Sequence, residues 1–311
     1  MMQLFATASY EYLRDELAGI TGGEIGVIER KTFDDVEFYH RIASDVCDRN
    51  VVLVGGTISE TETLELFDLA SGLVHEGARS LTIVAPYYGY ATMDRAVRPG
   101  EIVKAKTRAQ LLSSIPRACA GNRLLLLDLH AEGIQYYFEN GLRAVHVYGK
   151  PTVTAAIKQL GGERFVLAST DAGRAKWVES LANEIGVPAS FVFKKRLADG
   201  HPVVTAMNAD VEGRQVVIYD DMIRSGRSLL IAAEAYHRAG ASGVACVTTH
   251  GLFSGDALAE IRRSGVISHV IATNSHPRAS KLAQANSVFL TVRSIAGEFA
   301  APLRHVDGGE R

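Results

Sequence analysis

The stretch VVIYDDMIRSGRSLL, residues 216–230, contains residue types that bind a phosphorylated sugar. An aliphatic run leads to the paired carboxylates Asp220 and Asp221, and a short loop rich in small and hydroxyl residues follows. Such a loop at the start of a helix presents backbone N–H groups and hydroxyls to a phosphate. The two carboxylates suit the hydroxyls of a sugar, directly or through Mg²⁺. An aspartate N-cap with a solvated turn is the alternative that this pattern leaves open.

Further polar groups follow other aliphatic runs and suit phosphate chemistry. His130, two residues after Asp128, is either a metal or phosphate contact or a hydrogen-bonded structural histidine. Asp171 in STDAG is either a metal ligand or the cap of the helix that follows. Lys194 and Arg196 in FKKRLADGHP lie where a strand is expected to open into a loop. Cations there can stabilise transition-state charge, whereas a solvated basic turn is the plainer interpretation.

These polar residues come at the ends of short apolar runs that alternate with amphipathic stretches. Runs that are apolar on both faces indicate buried parallel strands, and the stretches between them suit helical crossovers. The alternation predicts an α/β fold, in which ligands bind beyond the carboxyl ends of the strands. The predicted strands cover residues 51–56, 81–89, 124–130, 164–171, 216–221, 243–251 and 269–275.

Composition restricts the class of protein. The 311 residues, 47% of them apolar, suffice for two α/β domains, and the net charge of -2 argues against a polybasic nucleic-acid binder. Three widely spaced cysteines without metal-ligand spacing favour buried thiols in a reducing compartment. The sequence shows no secretory pattern and no apolar run of roughly 20 residues. It therefore predicts a cytoplasmic protein that binds neither nucleic acid nor a membrane.

Eight segments, in this order along the chain, resemble the ribose-phosphate pyrophosphokinase family, also called the phosphoribosyl pyrophosphate synthetases. The most specific are DLHAEGIQYYF and THGLFSG; the others are TFDDVEFYHRI, APYYGYATMDR, EIVKAKTRAQLL, STDAG, KKR and VVIYDDMIRSGRS. The resemblance implies an α/β protein with two phosphoribosyltransferase-like domains, each a mainly parallel sheet flanked by helices. The first domain is expected at 1–146, joined by the C-terminal segment 286–311, and the second at 147–285.

The resemblance also implies an activity, namely Mg²⁺-dependent transfer of diphosphate from ATP to C1 of ribose 5-phosphate, which gives phosphoribosyl pyrophosphate and AMP. The catalytic residues it implies are Lys194, Arg196 and His130, and the metal ligands are His130 and Asp171. The residues implied to bind ribose 5-phosphate are Asp220, Asp221, Arg224, Ser225, Gly226, Arg227 and Ser228. Those implied to bind ATP are Phe33, Asp35, Glu37, Asp94 and Arg95. Family members build the adenine pocket partly from a neighbouring subunit, so a homo-oligomer, either a dimer or a hexamer, is implied.

The sequence departs from the family pattern in three places. Thr92 and Met93 replace an Arg-Gln pair that contacts ATP. Arg224 and Arg227 enter a loop that usually reads Asp-Thr-Gly-Gly-Thr, and Arg174 replaces the second glycine after STDAG. The first departure removes a guanidinium and an amide from the nucleotide side. Arg224 adds positive charge beside the sugar phosphate, and Arg174 is expected to crowd or recharge the metal side of the sugar pocket.

Two other functions stay open from the sequence. Loss of the Arg-Gln pair favours a non-catalytic regulatory paralogue of the synthetase, although the retained cations Lys194 and Arg196 favour catalysis. The motif at 216–228 alone would also serve a phosphoribosyltransferase that consumes phosphoribosyl pyrophosphate. The N-terminal segments and DLHAEGIQYYF count against that function, because they resemble the synthetases.

Overall fold

The computed structural model describes residues 2–170, 172–196, 202–207 and 210–307. The side chains of residues 172, 193–196, 202–207 and 305–307 fall outside that description. The chain divides into two compact units, one comprising Met1–Tyr148 with Ile295–Arg311 and the other Gly149–Ser294. Each unit is built around its own sheet.

Six strands of the described chain form the parallel sheet of the first unit. They are β1 (Met2–Ala6), β2 (Glu24–Ile25), β5 (Asn50–Val54), β6 (Ser80–Ala85), β7 (Asn122–Leu127) and β8 (Leu142–Val147). Their order is β2-β1-β5-β6-β7-β8, with parallel pairing throughout. A separate antiparallel hairpin is formed by β3 (Ile28–Thr32) and β4 (Phe38–Ile42).

Helices cover both faces of this sheet. On one face, Leu66 of α2 (Glu60–His75) and Leu112 of α3 (Lys104–Ser113) are buried in one core cluster. On the other face, Leu13 of α1 (Glu11–Thr21) is buried with Phe299 of α9 (Ala296–Asp307). Apolar residues are therefore required on both faces of the central strands, as the sequence pattern indicated.

The sheet of the second unit has seven strands among the described residues. They are β9 (Phe165–Ser169), β10 (Ala189–Arg196), β11 (Pro202–Met207), β12 (Gln215–Ile223), β13 (Gly243–Gly251), β14 (Val270–Thr273) and β15 (Leu290–Arg293). Their order is β11-β10-β9-β12-β13-β14-β15. All neighbours are parallel except β10 and β11. After Phe191, β10 continues beyond its pairing with β9 as an antiparallel ribbon with β11.

The helices of the second unit also lie on both faces. Val153 of α4 (Lys150–Gly161) and Leu181 of α5 (Ala175–Ile185) are buried on one side. The opposite side is covered by α6 (Arg227–Arg238), α7 (Ala257–Ser264) and α8 (Pro277–Ala285). Short 3₁₀ turns occur at Ala8–Tyr10, Glu132–Tyr137 and Ala172–Arg174. The predicted α/β architecture, with mainly parallel sheets flanked by helices, is confirmed.

The structure differs from the sequence-based expectations at several boundaries. The strand predicted to end at Asp221 continues to Ile223, because Met222 and Ile223 still pair with β13. Residues 286–294 lie in the second unit and not with the predicted C-terminal joining segment, since β15 pairs with β14. The chain returns to the first unit at Ile295, two residues after β15 ends.

The cysteines also differ from expectation. Cys246 is buried in β13, and burial raises the pKa of its thiol. Cys47 and Cys119 are exposed, so the expectation of buried thiols is wrong for these two. Cys47 lies in the connection between β4 and β5, and Cys119 in the connection between α3 and β7. Within the described residues, no helix combines the length and hydropathy needed to span a membrane.

A partly buried histidine caps the start of α8. The His276 Nδ1 accepts a hydrogen bond from the Arg278 backbone N–H at 3.2 Å, so the imidazole acts as the N-cap in its neutral form. Burial, together with the nearby His250 and Arg278, lowers the pKa of His276 from 6.5 to about 4. Between these two values the unfolded chain binds more protons at this residue than the folded chain does. Stability should therefore fall as pH falls through this window.

We expect His276→Asn, which keeps a side-chain acceptor at the cap, to reduce the stability lost between pH 7 and pH 5 by roughly 1 to 2 kcal/mol. Urea unfolding at the two pH values measures this difference. His75→Asn, at an exposed histidine in the last turn of α2, is the control and should leave the pH dependence unchanged. Equal pH dependence in the His276 variant and the unmodified protein would contradict the assignment.

Candidate active site

A cavity of about 150 Å³ lies where β12 leads into α6. It is bordered by Asp220 and by residues 222–229, which include the loop predicted to bind the sugar phosphate. We call residues 224–228 the cavity loop. The first turn of α6 begins at Arg227, and a helix start offers backbone N–H groups to an anion. The cavity is thus lined both by the elements of an anion site and by a carboxylate.

The cavity loop turns at Gly226, the N-cap residue of α6. Gly226 has a φ of 71°, in the left-handed region that favours glycine. A Cβ added there would lie 2.7 Å from Ile261 Cδ1 of α7. The position therefore needs glycine both for its backbone conformation and for the close approach of α7.

The two carboxylates of β12 occupy different environments, because consecutive strand residues point to opposite faces. Asp220 borders the cavity, and its Oδ2 accepts a hydrogen bond of 3.0 Å from the Thr170 hydroxyl. Asp221 is 3% exposed and forms an ion pair with Arg174. Asp220 is thus placed to meet a ligand in the cavity, whereas Asp221 is engaged by a neighbouring cation.

The partner of Asp221 was not predicted from the sequence. Arg174 stood out only as a departure from a glycine pattern, and no local signal joined it to an aspartate 47 positions later. The connection arises because β9 and β12 are adjacent parallel strands, so the turn after β9 lies near the carboxyl end of β12. The positive charge that Arg174 adds therefore lies beside Asp221, one of the two adjacent carboxylates of β12.

His130 lies in the loop that follows β7 in the first unit, and its side chain is exposed. Two hydrogen bonds donated by backbone N–H groups fix the start of this loop. Asp128 adopts a positive φ of 37° and donates its N–H to Val147 O at 2.9 Å. Leu129 donates its N–H to His146 Nε2 at 2.9 Å, which places the ring hydrogen of His146 on Nδ1. Contacts with β8 therefore support the loop that carries His130.

Sequence reasoning missed the residues in β8 and directly after it that support this loop. His146 lies against Tyr148, with ring centroids 4.2 Å apart. The Tyr148 hydroxyl donates to Glu132 Oε1 at 3.1 Å, and burial, followed by this hydrogen bond, raises the pKa of Tyr148. The sequence analysis predicted no strand at LRAVHVYG, and the segment carries no local signal for these contacts.

Asp94 and Arg95, the predicted ATP contacts of the first unit, lie in the connection between β6 and α3. The Asp94 carbonyl accepts a hydrogen bond of 2.6 Å from the Tyr137 hydroxyl, and Arg95 is exposed. Met93 is 42% exposed, and the Met93 backbone N–H donates a hydrogen bond to Tyr90 O at 2.8 Å. The departure at Met93 thus presents an apolar side chain to solvent where the family pattern has an amide.

A charged cluster holds the start of this connection to α2 and α3. Glu60 accepts hydrogen bonds from the Tyr90 hydroxyl at 2.6 Å and from Arg108 at 2.5 Å. These bonds, the one from Tyr90 first, lower the pKa of Glu60. Lys104 Nζ lies 4.5 Å from the centre of the Tyr90 ring. Lys104 and Arg108 are therefore engaged with Tyr90 and Glu60 at the base of the connection.

The β3–β4 hairpin brings together the three other residues predicted to contact ATP. Phe33, Asp35 and Glu37 lie in the turn between the strands, and all three are exposed. The Phe33 N–H donates to Glu37 O at 2.9 Å, which closes the turn. The Phe33 ring meets Tyr39 edge to face with centroids 6.2 Å apart. The three side chains thus share one exposed hairpin tip.

Other predicted residues are described only in part. Asp171 lies outside the described residues, and for Lys194 and Arg196 the description covers only the backbone, in the β10–β11 ribbon. In the described part of the chain, no group of three or more His, Cys, Asp or Glu side chains is arranged to hold a metal ion. Mg²⁺ commonly uses one or two carboxylates together with substrate phosphates. Asp220, an oxygen donor at the cavity, fits that chemistry.

Comparison with known proteins identifies the family. Residues 2–115 match the family model described as the N-terminal domain of ribose phosphate pyrophosphokinase, and residues 169–307 match the phosphoribosyl synthetase-associated domain. The ribose-phosphate pyrophosphokinase of Synechococcus elongatus is 30% identical over 96% of this chain and 89% of its own length. That of Vibrio vulnificus is 31% identical over 99% of this chain and 97% of its own length.

A solved structure shows the same architecture. The crystal structure of phosphoribosylpyrophosphate synthetase from Mycobacterium smegmatis aligns with a TM-score of 0.84 at 28% sequence identity, covering 98% of each chain. The similarity spans both units, and the sequence matches extend over nearly the full length of the relatives. The chain belongs to the ribose-phosphate pyrophosphokinase family of enzymes.

Proposed function

We propose that this protein transfers diphosphate from ATP to C1 of ribose 5-phosphate in a Mg²⁺-dependent reaction that gives phosphoribosyl pyrophosphate and AMP. The observation that carries the proposal is the cavity bordered by both Asp220 and the cavity loop. A single phosphorylated sugar can place its phosphate at the cavity loop and its hydroxyls at Asp220. Membership of the family supports the choice of reaction.

The reaction requires positioning and charge neutralisation more than covalent catalysis. The anomeric hydroxyl of the sugar attacks the β-phosphorus of ATP and loses its proton, and the bond from that phosphorus to the α–β bridging oxygen breaks to release AMP. Lys194, Arg196 and His130 are the proposed catalytic residues, with the two cations stabilising charge on the transferred group. His130 and Asp171 are the proposed ligands of Mg²⁺, which when bound neutralises phosphate charge.

ATP is proposed to contact Asp94 and Arg95 in one subunit. The exposed tip that carries Phe33, Asp35 and Glu37 is proposed to contribute to the adenine pocket of a neighbouring subunit in a dimer or hexamer. Exposure of all three side chains in a single chain supports this role, because an aromatic ring and two carboxylates at a hairpin tip are available to a partner.

The test of the function is a direct product assay. The purified protein is incubated with Mg²⁺, ATP and ribose 5-phosphate, and AMP and phosphoribosyl pyrophosphate are measured by chromatography. We expect the two products in equal amounts and neither without ribose 5-phosphate. Absence of both products at millimolar substrate concentrations would contradict the proposal. Consumption of added phosphoribosyl pyrophosphate with a nucleobase would instead indicate a phosphoribosyltransferase.

One observation favours a second candidate, a non-catalytic regulatory paralogue. Met93 exposes an apolar side chain at a position where the family pattern has a nucleotide-contacting glutamine, so the nucleotide site has fewer polar contacts. A regulatory paralogue would give no products alone but would change the rate of an active synthetase mixed with it. The product assay with and without such a synthetase separates the two functions.

The side chain of Arg224 gives a test of sugar-phosphate binding. Arg224 is exposed and borders the cavity, so it adds positive charge where a dianionic phosphate is proposed to bind. We expect Arg224→Asp to raise the apparent KM for ribose 5-phosphate about tenfold with little change in kcat, since reversing a charge near the phosphate weakens ground-state binding.

The matched control is Arg214→Asp. Arg214 is exposed and directly precedes the amino end of β12, whereas the cavity loop follows the carboxyl end of that strand. The control therefore makes the same change of charge at the opposite end of β12. The KM of this variant should stay within about twofold of the unmodified protein. Equal KM values in the two variants would show that Arg224 does not act on the bound phosphate.

A further inference from the structure

We propose that Arg278, which lies outside the cavity, is a positioning residue that holds the cavity loop in its binding conformation. It acts through residues 252–255, which we call the support loop. The inference deepens the proposed function, because it rests on the assignment of the cavity loop to the phosphate of ribose 5-phosphate. No sequence motif discussed above includes Arg278.

The first step is the contact between Arg278 and the support loop. From the first turn of α8, the Arg278 Nε donates to Phe253 O at 2.8 Å, and an Nη donates to Gly255 O at 2.8 Å. The guanidinium therefore spans two carbonyls of the support loop with charge-assisted hydrogen bonds. Such bonds are about twice as strong as bonds between neutral groups.

The second step is the strained backbone that Arg278 holds. Phe253 adopts a positive φ of 43°, an unusual conformation for an aromatic residue, although its ring is fully buried. A backbone of this kind is strained and persists only where neighbouring contacts impose it. The buried ring fixes one side of Phe253, and Arg278 fixes its carbonyl. Removing the guanidinium should let the support loop relax.

The third step joins the support loop to the cavity loop. The N–H groups of Leu252 and Phe253 donate to Ile223 O at 3.0 and 2.9 Å. The Ser254 N–H donates to Arg224 O at 2.8 Å. Three backbone bonds thus connect the support loop to the end of β12 and the start of the cavity loop. Relaxation of the support loop would displace the backbone that is proposed to bind phosphate.

The test compares variants of the full-length protein. Arg278→Met keeps much of the side-chain length but cannot donate, and Arg278→Lys keeps the charge but cannot span both carbonyls. Arg262→Met, at an exposed arginine in the last turn of α7, is the matched control. Ribose 5-phosphate binding is measured by isothermal titration calorimetry in the presence of Mg²⁺ and without ATP. The KM values for ribose 5-phosphate and ATP are measured in the product assay.

We expect Arg278→Met to weaken ribose 5-phosphate binding about tenfold, which corresponds to loss of roughly one net charge-assisted bond, and Arg278→Lys to weaken it less. The KM for ATP should stay within about twofold, which distinguishes loop positioning from general damage to the fold. Unchanged sugar-phosphate affinity in Arg278→Met would overturn the inference while leaving the proposed function intact. Failure of both variants to fold would also overturn it, because Arg278 would then support the whole unit.

Calorimetry separates failure of the inference from failure of the proposed function. If the unmodified protein binds ribose 5-phosphate but forms no product, the proposed reaction fails and the effect of Arg278 on binding is still measured. If the unmodified protein does not bind the sugar phosphate, the assignment of the cavity loop fails and the inference about Arg278 fails with it.

Discussion

Gly226→Ala is expected to lower kcat/KM for ribose 5-phosphate about a hundredfold, because the substitution adds backbone strain and a steric collision at the cavity loop. The backbone at φ 71° disfavours any residue with a Cβ. The new Cβ would also lie 2.7 Å from Ile261 Cδ1, which is too close for carbon atoms. The Ile261 side chain, α7 or the cavity loop must therefore shift. Steady-state kinetics with ATP held at saturation measures the loss.

The control for this prediction is Gly265→Ala, at the C-cap of α7. Gly265 has a similar φ of 68°, but an added Cβ there meets nothing within 4 Å. The two variants share the backbone strain and differ in the collision and in the distance from the cavity. Gly265→Ala should lower stability by about 1 kcal/mol and leave KM unchanged. Equal kinetic effects would mean that the cavity loop does not bind the substrate.

Asp221→Asn is expected to lower the free energy of unfolding by about 2 to 3 kcal/mol, because it removes the negative charge from the largely buried ion pair with Arg174. The Asp221 side chain is 4% exposed and that of Arg174 is 20% exposed, so solvent screens this pair only weakly. Asparagine has almost the same shape as aspartate, so the loss reports the charge and not a cavity. Urea unfolding followed by circular dichroism measures it.

Arg174→Met in the Asp221→Asn background gives the complementary test. Removing both charges should recover part of the lost stability, because a buried pair costs desolvation that an uncharged pair avoids. Glu234→Gln, at an exposed position of α6, is the control for removing one negative charge and should change stability by less than about 0.5 kcal/mol. Additive effects of the two substitutions would show that Arg174 and Asp221 do not stabilise each other.

Much of the fold follows from local sequence patterns. Strands such as β5, β7 and β12 are continuous aliphatic runs that end in polar residues, which is the pattern of a buried parallel strand. Several strands outside the central aliphatic runs were not predicted, namely β1, β2, β3, β4, β8, β11 and β15. Leu142–Val147 alternates polar and apolar residues with mostly half-buried side chains, so it lacks the aliphatic run that identifies the central strands.

The site was predictable only where the chemistry lies within one short segment. The cavity loop and Asp220 are contiguous, so their grouping follows from the motif. Arg174 and Arg278 contact groups 47 and 25 residues away in sequence, and those contacts depend on which strands are neighbours. Strand order is a property of the folded sheet, and one sequence read alone does not specify it.

The return of the C-terminal helix has a consequence for the order of folding during synthesis. The second unit is one continuous segment, so the ribosome completes all of its strands before it makes α9. The first unit buries Phe299 and Leu303 of α9 against α1 and its sheet, so its core stays incomplete until α9 emerges. Domains generally fold as units as the chain is made. We therefore expect the second unit to reach its native packing first on the ribosome, although it is made after most of the first.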